Sequence, residues 1–380
     1  MSPSLPRVIR CQSPETGEPA FGLVLEQRGG SPTAALNLTA QEPSLGSSFT
    51  SFGARGFELA KRLQGQLDGG ELKAARWVIE PEHLLPPVDI SDEDIAERRR
   101  FILSMGLNFR SHREETARGS DLIMVNAVGT TGPHDPLTLI PQALLPDIEA
   151  EVGCVLLEDI DLADVPPMAE LEHRLAYFVV NDINDRAPMI LDEVDGYTAG
   201  KSDPGYVPIG PWMIHGAELP IFSKSLGLEI TCHVEHRGED PERRQFDTTD
   251  RLIRDPEQIL KLLGEQLEAH PDKAGGDRRG NRHPFARREG NRWVLPAGSL
   301  VLTGTPGGTA LQAPRGLQRL GLLVLGGFSI TGARRAFLRR QIRLRAELGY
   351  LMPGDTVETS VTHLGRQRWE VRGPDKDSHH

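Results

Sequence analysis

The clearest hydrophobic alternation in the chain runs through Asp147-Ile148-Glu149-Ala150-Glu151-Val152-Gly153-Cys154-Val155-Leu156. Side chains on a strand point to opposite faces with period two. Ile148, Ala150, Val152, Cys154 and Leu156 therefore predict one apolar face, with Glu149 and Glu151 together on the other. A second strand-like run, Leu175 to Val180, ends in Asn181-Asp182. Near the start, Val8–Cys11 and Phe21–Leu25 read as short strands around a Gly/Pro turn, and Phe57–Leu63 reads as helical. Pro86-Pro87 cannot continue a ladder and closes a first region at about residue 88. Asp92–Arg100 passes from acidic to basic, as a short helix aligned with its dipole would. Asp255 and Pro256 supply an N-cap and first helical position for a helix over 256–264. Pro-Gly pairs at 204, 306 and 353 mark turns beside β-rich stretches.

Two segments resist this reading. Residues 270–292 are polar and rich in Gly, Arg and Asp, which predicts a mobile surface loop. Leu317–Ile330 is apolar, and six arginines follow over 334–345. It is too short to span a bilayer. A basic amphipathic helix of this kind can touch acidic lipid or a partner, but the preferred reading is an inserted helix covering the core or a subunit contact.

Composition narrows the class. With 380 residues, 38% hydrophobic and 26% charged, the chain can bury an ordinary core. Its net charge of -11 argues against nucleic-acid binding, which needs basic surface. Cys11, Cys154 and Cys232 lack zinc-like spacing, and no signal or transmembrane pattern appears, so a reducing cytoplasm is expected.

The candidate chemistry centres on Glu149, Glu151 and Asp182. Same-face carboxylates repel unless a cation lies between them, and an all-oxygen donor set suits Mg²⁺ first, then Mn²⁺ or Ca²⁺. His112 and Glu115 are three positions apart, one face of a helical turn, where a carboxylate orients imidazole as a base. Lys201, beside a glycine turn, is placed to stabilise an oxyanion. Val301-Leu302-Thr303-Gly304-Thr305-Pro306-Gly307-Gly308 ends an apolar strand in a loop whose N–H groups are accessible to a ligand; it lacks the Lys-Ser/Thr of a P-loop.

Taken in order, GLNFRSH..E, the ExE, the ND, GKS…PIGPW, TGTPGG and LMPGDTVE resemble the fumarylacetoacetate hydrolase family over roughly residues 84–365. The resemblance implies an α+β, β-rich fold: a mixed β-roll catalytic domain over 89–380, carrying the polar loop and an Arg-rich insertion near 312–348, with a smaller N-terminal α/β domain over 1–88. It implies a homodimer, Mg²⁺ on Glu149, Glu151 and Asp182, the dyad His112–Glu115, and Lys201 near the substrate with Asn108, Arg186, Gly304 and Thr305. Two positions depart from the family pattern. The run Ile123-Met124-Val125-Asn126 stands where an FxKP-like stretch with a lysine is usual, and Met189 replaces a familiar glutamine. The activity implied is Mg-dependent hydrolysis of a carbon–carbon bond in a fumarylacetoacetate-like or acylpyruvate-like 1,3-diketo acid. The alternatives are a decarboxylase, isomerase or hydratase acting on a 2-oxo acid through a stabilised enolate, and more remotely a non-catalytic metal-stabilised binding protein.

Overall fold

The computed structural model describes residues 4–72, 75–116, 121–191, 196–314 and 317–374. Its first sheet uses only residues from the first 85, in the order Trp77–Val78, Ser31–Asn37, Pro19–Arg28, Val8–Gln12, Leu84–Leu85. All its pairings are antiparallel. The helix Phe49–Asp68, capped by Ser48, extends the predicted helical run in both directions. Its buried Phe49, Phe52, Phe57 and Leu63 cover this sheet, and Phe52 stacks on Phe21 at 4.0 Å between ring centroids. Val8 and Met213 exchange backbone hydrogen bonds of 2.9 and 2.8 Å, joining the sheet to the rest of the chain. One apolar core runs through both parts.

The remainder is a mixed, strand-rich assembly of open sheets. A six-stranded sheet has the order Ile214–His215, Leu175–Asn181, Ala150–Leu156, Leu300–Leu302, Ile102–Gly106, Leu122–Val125. Only the pairing of Leu300–Leu302 with Ile102–Gly106 is parallel. A five-stranded sheet, Glu242–Thr248, Glu229–Glu235, Thr356–Val361, Gly365–Arg372, Leu137–Thr138, packs against it. The two sheets are tied by polar groups within the core. Asn181 Nδ2 donates to Thr359 Oγ1 and Gln367 Oε1, and Gln367 Nε2 donates to Val179 O at 2.7 Å. Buried amides hold position only when their hydrogen bonds are met, so these fix how the sheets meet.

The alternation in 147–156 yields the central strand Ala150–Leu156, but all seven of its residues are buried. Its second face, expected to be polar, is covered as well. Cys154 lies on the apolar face as a buried free thiol; Cys11 and Cys232 are also free and buried. The helix Pro256–Ala269 has Asp255 as N-cap with a full capping box to Gln258.

The segment 270–292 is not an irregular loop. Ala274–Gly276 pairs with Arg282–Pro284, and Arg287–Glu289 pairs with Arg292–Leu295. Strands of three or four residues are too short to show an apolar period, and their polarity serves the turn. Asp277 Oδ1 accepts from the N–H groups of Arg279 and Asn281. Arg278 then reaches into the fold: its Nε lies 3.1 Å from both Asp203 oxygens and its Nη2 2.6 Å from Asp185 Oδ2.

The apolar-then-basic segment forms two helices, Leu317–Leu325 and Ile330–Arg343. Ala336, Phe337 and Leu338 of the second pack with Ala187 and Ile190 of the helix Arg186–Leu191. Cover of the core is thus the role of the second helix, while much of the first faces outward.

Burial pushes the Asp203 carboxyl up to about 6, although Arg278 pulls it down. An acid whose folded pKa lies above its ordinary 3.8 keeps its proton longer in the folded state. Stability contributed by this group therefore falls as pH rises from about 4 to 6, by up to about 3 kcal/mol. Urea midpoints at pH 4, 5, 6 and 7 should show that slope in the parent and a flatter one in Asp203→Asn; parallel slopes would remove Asp203 as its source.

Candidate metal centre and base

Backbone pairing brings the three carboxylates together. Ala150 lies opposite Asn181 in the ladder, and Asp182 N donates to Glu149 O at 2.8 Å. One strand's start and its neighbour's end thus deliver Glu149, Glu151 and Asp182 to one point. All three are buried, and one oxygen from each lies within 4.8 Å of the others. An all-oxygen donor set of this kind, without cysteine or histidine, suits a hard divalent cation.

Their support is specific. Gly304 N donates to Glu151 Oε2 at 2.6 Å. Asn126 Nδ2 donates to Asp182 Oδ1 at 2.6 Å, and Ser104 Oγ holds Asn126 Oδ1 at 3.0 Å. Thr305 Oγ1 donates to Ala150 O and accepts from Gln245 Nε2, while Gln245 Oε1 accepts from Ala150 N. The glycine-rich loop therefore clamps the start of the central strand. Gly304 requires its glycine: φ is 101°, and a Cβ would stand 2.6 Å from Asn108 Cβ and 2.7 Å from Met105 O.

Positive charge partly offsets the cluster. Lys201 Nζ lies 2.6 Å from Glu149 Oε2 and also bonds Asp182 Oδ2. Arg186 Nη1 lies 2.7 Å from Glu149 Oε1, and Arg186 Nε 2.9 Å from Asp147 Oδ2. Burial opposes ionisation of Glu149, yet Lys201, Arg186 and His112 hold its carboxyl down to about 2. Glu151 goes the other way: burial, then Asp182 and Glu149, push it well above the usual carboxylate range. Asp182 is also raised, by burial and then by Glu149 against the pull of Lys201. Burial would lower the Lys201 ammonium, but Asp182, Glu149 and Glu151 raise it. Three buried acids thus outweigh the cations facing them, and the trio fits a divalent ion on charge as well as on donor type.

His112 and Glu115 lie on the short helix Arg110–Thr116. His112 is buried; its Nδ1 is 3.5 Å from Glu115 Oε2 and its Nε2 is 4.0 Å from Glu149 Oε1. Glu115 Oε1 accepts from Gly308 N at 2.7 Å, and Gly307 N donates to Ser111 Oγ at 3.1 Å. The helix is therefore docked on the glycine-rich loop, with the imidazole between Glu115 and the carboxylate cluster.

The structure brings together His112, Glu115, Lys201, Glu149, Glu151, Asp182 and Arg186. It gives Asn108 a different place. Both Asn108 Nδ2 hydrogens go to backbone, to Arg254 O and Thr303 O, and its Oδ1 accepts from Arg254 N. That side chain ties loops together. Gly304 and Thr305 likewise act here through Glu151 and Ala150. Two buried nitrogens of the site, Arg186 Nη2 and His112 Nδ1, have no hydrogen-bond partner among the described residues.

Three contributors escaped the sequence reading. Asp147 carried a signal, since period two places it with Glu149 and Glu151; it receives Arg186 Nε and Ala310 N. Asn126 was visible as the polar end of an apolar run. Gln245 comes from the other sheet, and nothing near it in sequence points to the site.

The sequence pattern of the family described as "Fumarylacetoacetate (FAA) hydrolase C-terminal" matches residues 102–372. The chain belongs to this family. It is 21% identical over 275 residues to the 2,4-didehydro-3-deoxy-L-rhamnonate hydrolase of Sphingomonas sp. (strain SKA58), covering 71% of this chain and 72% of that one. It is 27% identical over 141 residues to a putative hydrolase of Burkholderia cenocepacia (strain HI2424), 36% of this chain and 49% of that one, so the match spans about half of that relative. Among solved structures, a fumarylacetoacetate hydrolase of Exiguobacterium antarcticum superposes with a TM-score of 0.60 at 19% identity, over 97% of this chain and 100% of that one. A probable 2-hydroxyhepta-2,4-diene-1,7-dioate isomerase of Mycobacterium abscessus gives 0.58 at 16%, over 98% and 100%. These two likenesses establish the fold. Among the described residues, no helix is long and apolar enough to cross a membrane.

Replacing Gly304 with alanine should cost about 1–3 kcal/mol, because the added methyl has nowhere to go, and should weaken divalent-ion binding by releasing Glu151. Thermal unfolding and Mn²⁺ titration calorimetry check this; an unchanged Mn²⁺ affinity would separate the loop from the cluster.

Proposed function

We propose that this protein is a divalent-metal-dependent hydrolase that cleaves a carbon–carbon bond in a fumarylacetoacetate-like or acylpyruvate-like 1,3-diketo acid, with Mg²⁺ as the ion. The observation that carries the reading is the buried His112 between Glu115 and the carboxylate cluster. An imidazole there has a carboxylate on one nitrogen and the reaction space on the other, which is what a water-activating base needs. The hydrolase name of the Sphingomonas relative supports the same class.

Glu149, Glu151 and Asp182 would hold the ion, which supplies Lewis-acid polarisation of two chelating substrate oxygens and stabilises developing enolate charge. Glu115 Oε2, 3.5 Å from His112 Nδ1, is the carboxylate placed to orient the imidazole, so that Nε2 would accept a proton from water. The hydroxide adds to the acyl carbonyl, and Lys201 is the ammonium within reach of the oxyanion so formed. As the carbon–carbon bond breaks, its electron pair leaves with the pyruvate-like fragment. The imidazolium of His112 returns the proton to that fragment. Arg186, with Nη2 unpaired, is the donor available to a substrate carboxylate. Met189, whose Sδ lies 3.8 Å from Arg186 Nη1, puts a thioether where the family pattern has an amide; it favours an apolar substrate tail.

A panel of acylpyruvates, fumarylacetoacetate and oxaloacetate, each with Mg²⁺ and with EDTA, tests the proposal. Metal-dependent release of a carboxylic acid and a pyruvate-like product is expected. Turnover only by decarboxylation or isomerisation would replace it with the alternative enolate chemistry. His112→Ala should lose about 10²–10⁴-fold in kcat while retaining Mn²⁺ binding; full hydrolysis in that variant would take the imidazole out of the reaction.

Substituting Met189 by glutamine should raise KM for acylpyruvates with long alkyl tails more than for short ones. KM measured along a chain-length series checks this, and a uniform change would mean that Met189 does not meet the tail.

A further inference from the structure

We propose that the helical hairpin formed by Leu317–Leu325 and Ile330–Arg343 is a docking element for an anionic phospholipid surface. Three independent features meet in it. The first is charge. From Gln312 to Ala346 there are eight arginines and no acidic residue, a segment of +8 in a chain of -11, which leaves the rest at -19. Arg335, Arg339 and Arg343 are exposed at a spacing of four, one face of the second helix. None of the three forms an ion pair among the described residues.

The second is apolar exposure. Val324, Leu325, Phe328 and Ile330 are 53, 74, 78 and 70% exposed, and Leu320, one turn before Val324, is 57% exposed. These are five of the ten large exposed hydrophobic side chains of the described residues, gathered at the first helix and the tip that follows it. Phe337 and Leu338 anchor the hairpin's other side in the core, so the exposed set is not the remainder of an unpacked helix. Contiguous apolar exposure of this kind marks a surface that meets something.

The third is the shape of the tip. Gly327 and Phe328 are both left-handed, at φ 65° and 58°. A bulky non-glycine residue rarely adopts that conformation, and the cost is borne where it holds a side chain in a required direction. Gly326 allows the closure, since a Cβ there would stand 2.2 Å from Ala333 N. The backbone is bent so that an aromatic ring leads the hairpin into solvent.

Basic side chains beside an apolar tip match the two layers of an anionic membrane surface: phosphate groups for the guanidiniums and the acyl boundary for Phe328, Leu325 and Ile330. A symmetric contact with a second copy would set this segment against its own like charge, eight arginines against eight. The acidic remainder of the chain is screened from the lipid beyond about 8 Å at physiological salt, and the charge asymmetry turns the hairpin towards it.

The protein is tested by flotation with vesicles of pure phosphatidylcholine and with vesicles containing about 30% phosphatidylglycerol, enough for a negative surface potential. Binding only to the anionic vesicles is expected. Arg335→Glu with Arg339→Glu and Arg343→Glu should weaken it about 100-fold or more, at about fivefold per arginine. Phe328→Asp with Leu325→Asp should abolish it at unchanged vesicle charge. Circular dichroism melts and sedimentation velocity keep both variants interpretable. Absence of binding by the folded parent, or equal binding by folded variants, overturns the proposal. A parent dimer that Phe328→Asp with Leu325→Asp turns into monomer would also overturn it, by showing that a second copy covers the tip.

Discussion

Three carboxylates buried within reach of one point are the constraint around which the catalytic half is arranged. Ionised carboxylates in a low-dielectric interior repel strongly, and each loses its hydration on burial. Such a cluster persists only if the backbone holds it and if cations answer it. The holding is done by the antiparallel ladder between Ala150–Leu156 and Leu175–Asn181, continued by the bond from Asp182 N to Glu149 O. The answer comes from Lys201 and Arg186, which together reach Glu149 and Asp182. Glu151 has a backbone N–H and, among the described residues, no direct cationic partner, and burial with Asp182 and Glu149 beside it pushes its carboxyl well above the usual range. The position that lacks charge compensation is therefore also the one that most needs an added ion.

The same constraint explains why so much of the surrounding polarity is spent on geometry. Asn126, Ser104, Thr305 and Gln245 do not touch one another's functions by chance: each fixes an oxygen or a strand end next to the cluster. A carboxylate whose second oxygen is already engaged has one direction left in which to bind. Asn126 does this for Asp182, and Gly304 does it for Glu151.

How far the sequence disclosed this follows from the range of each interaction. The alternation of 147–156 and the polar end of 175–182 are local patterns, and they gave the trio directly. His112 and Glu115 share one helical turn, also a local relation, although only the fold shows that the turn docks on Gly307 and Gly308. Gln245 reaches the site across two sheets, and no local period encodes such a contact. A polar residue such as Asn108 in a shared motif reads equally as a ligand contact or a loop tie, and only the fold shows its three hydrogen bonds to backbone. The segment 270–292 was misjudged because short hairpins rich in charge have the composition of irregular chain. Arg278 shows the difference: it joins a surface turn to the buried Asp203 and Asp185. Residues 117–120 and 192–195, close in sequence to His112 and to Lys201, lie outside the described residues.

The inserted hairpin and the metal centre share one structural element. The helix Arg186–Leu191 turns Arg186 towards Asp147 and Glu149, and packs Ala187 and Ile190 against Phe337 and Leu338 of the insertion. An exposed addition could have been attached anywhere on the surface; this one is fastened to the back of the helix that carries a cation of the site. Apolar packing is non-directional and tolerant of small shifts, whereas the two ion pairs of Arg186 depend on distance and angle. A displacement of the hairpin would thus be absorbed first in the apolar contact. It would reach Glu149 only if that helix moved as a whole, against the hydrogen bonds that Leu145 N and Ala187 N both donate to Asp185 Oδ1. The arrangement lets a large basic appendage sit beside the carboxylate cluster without disturbing its geometry.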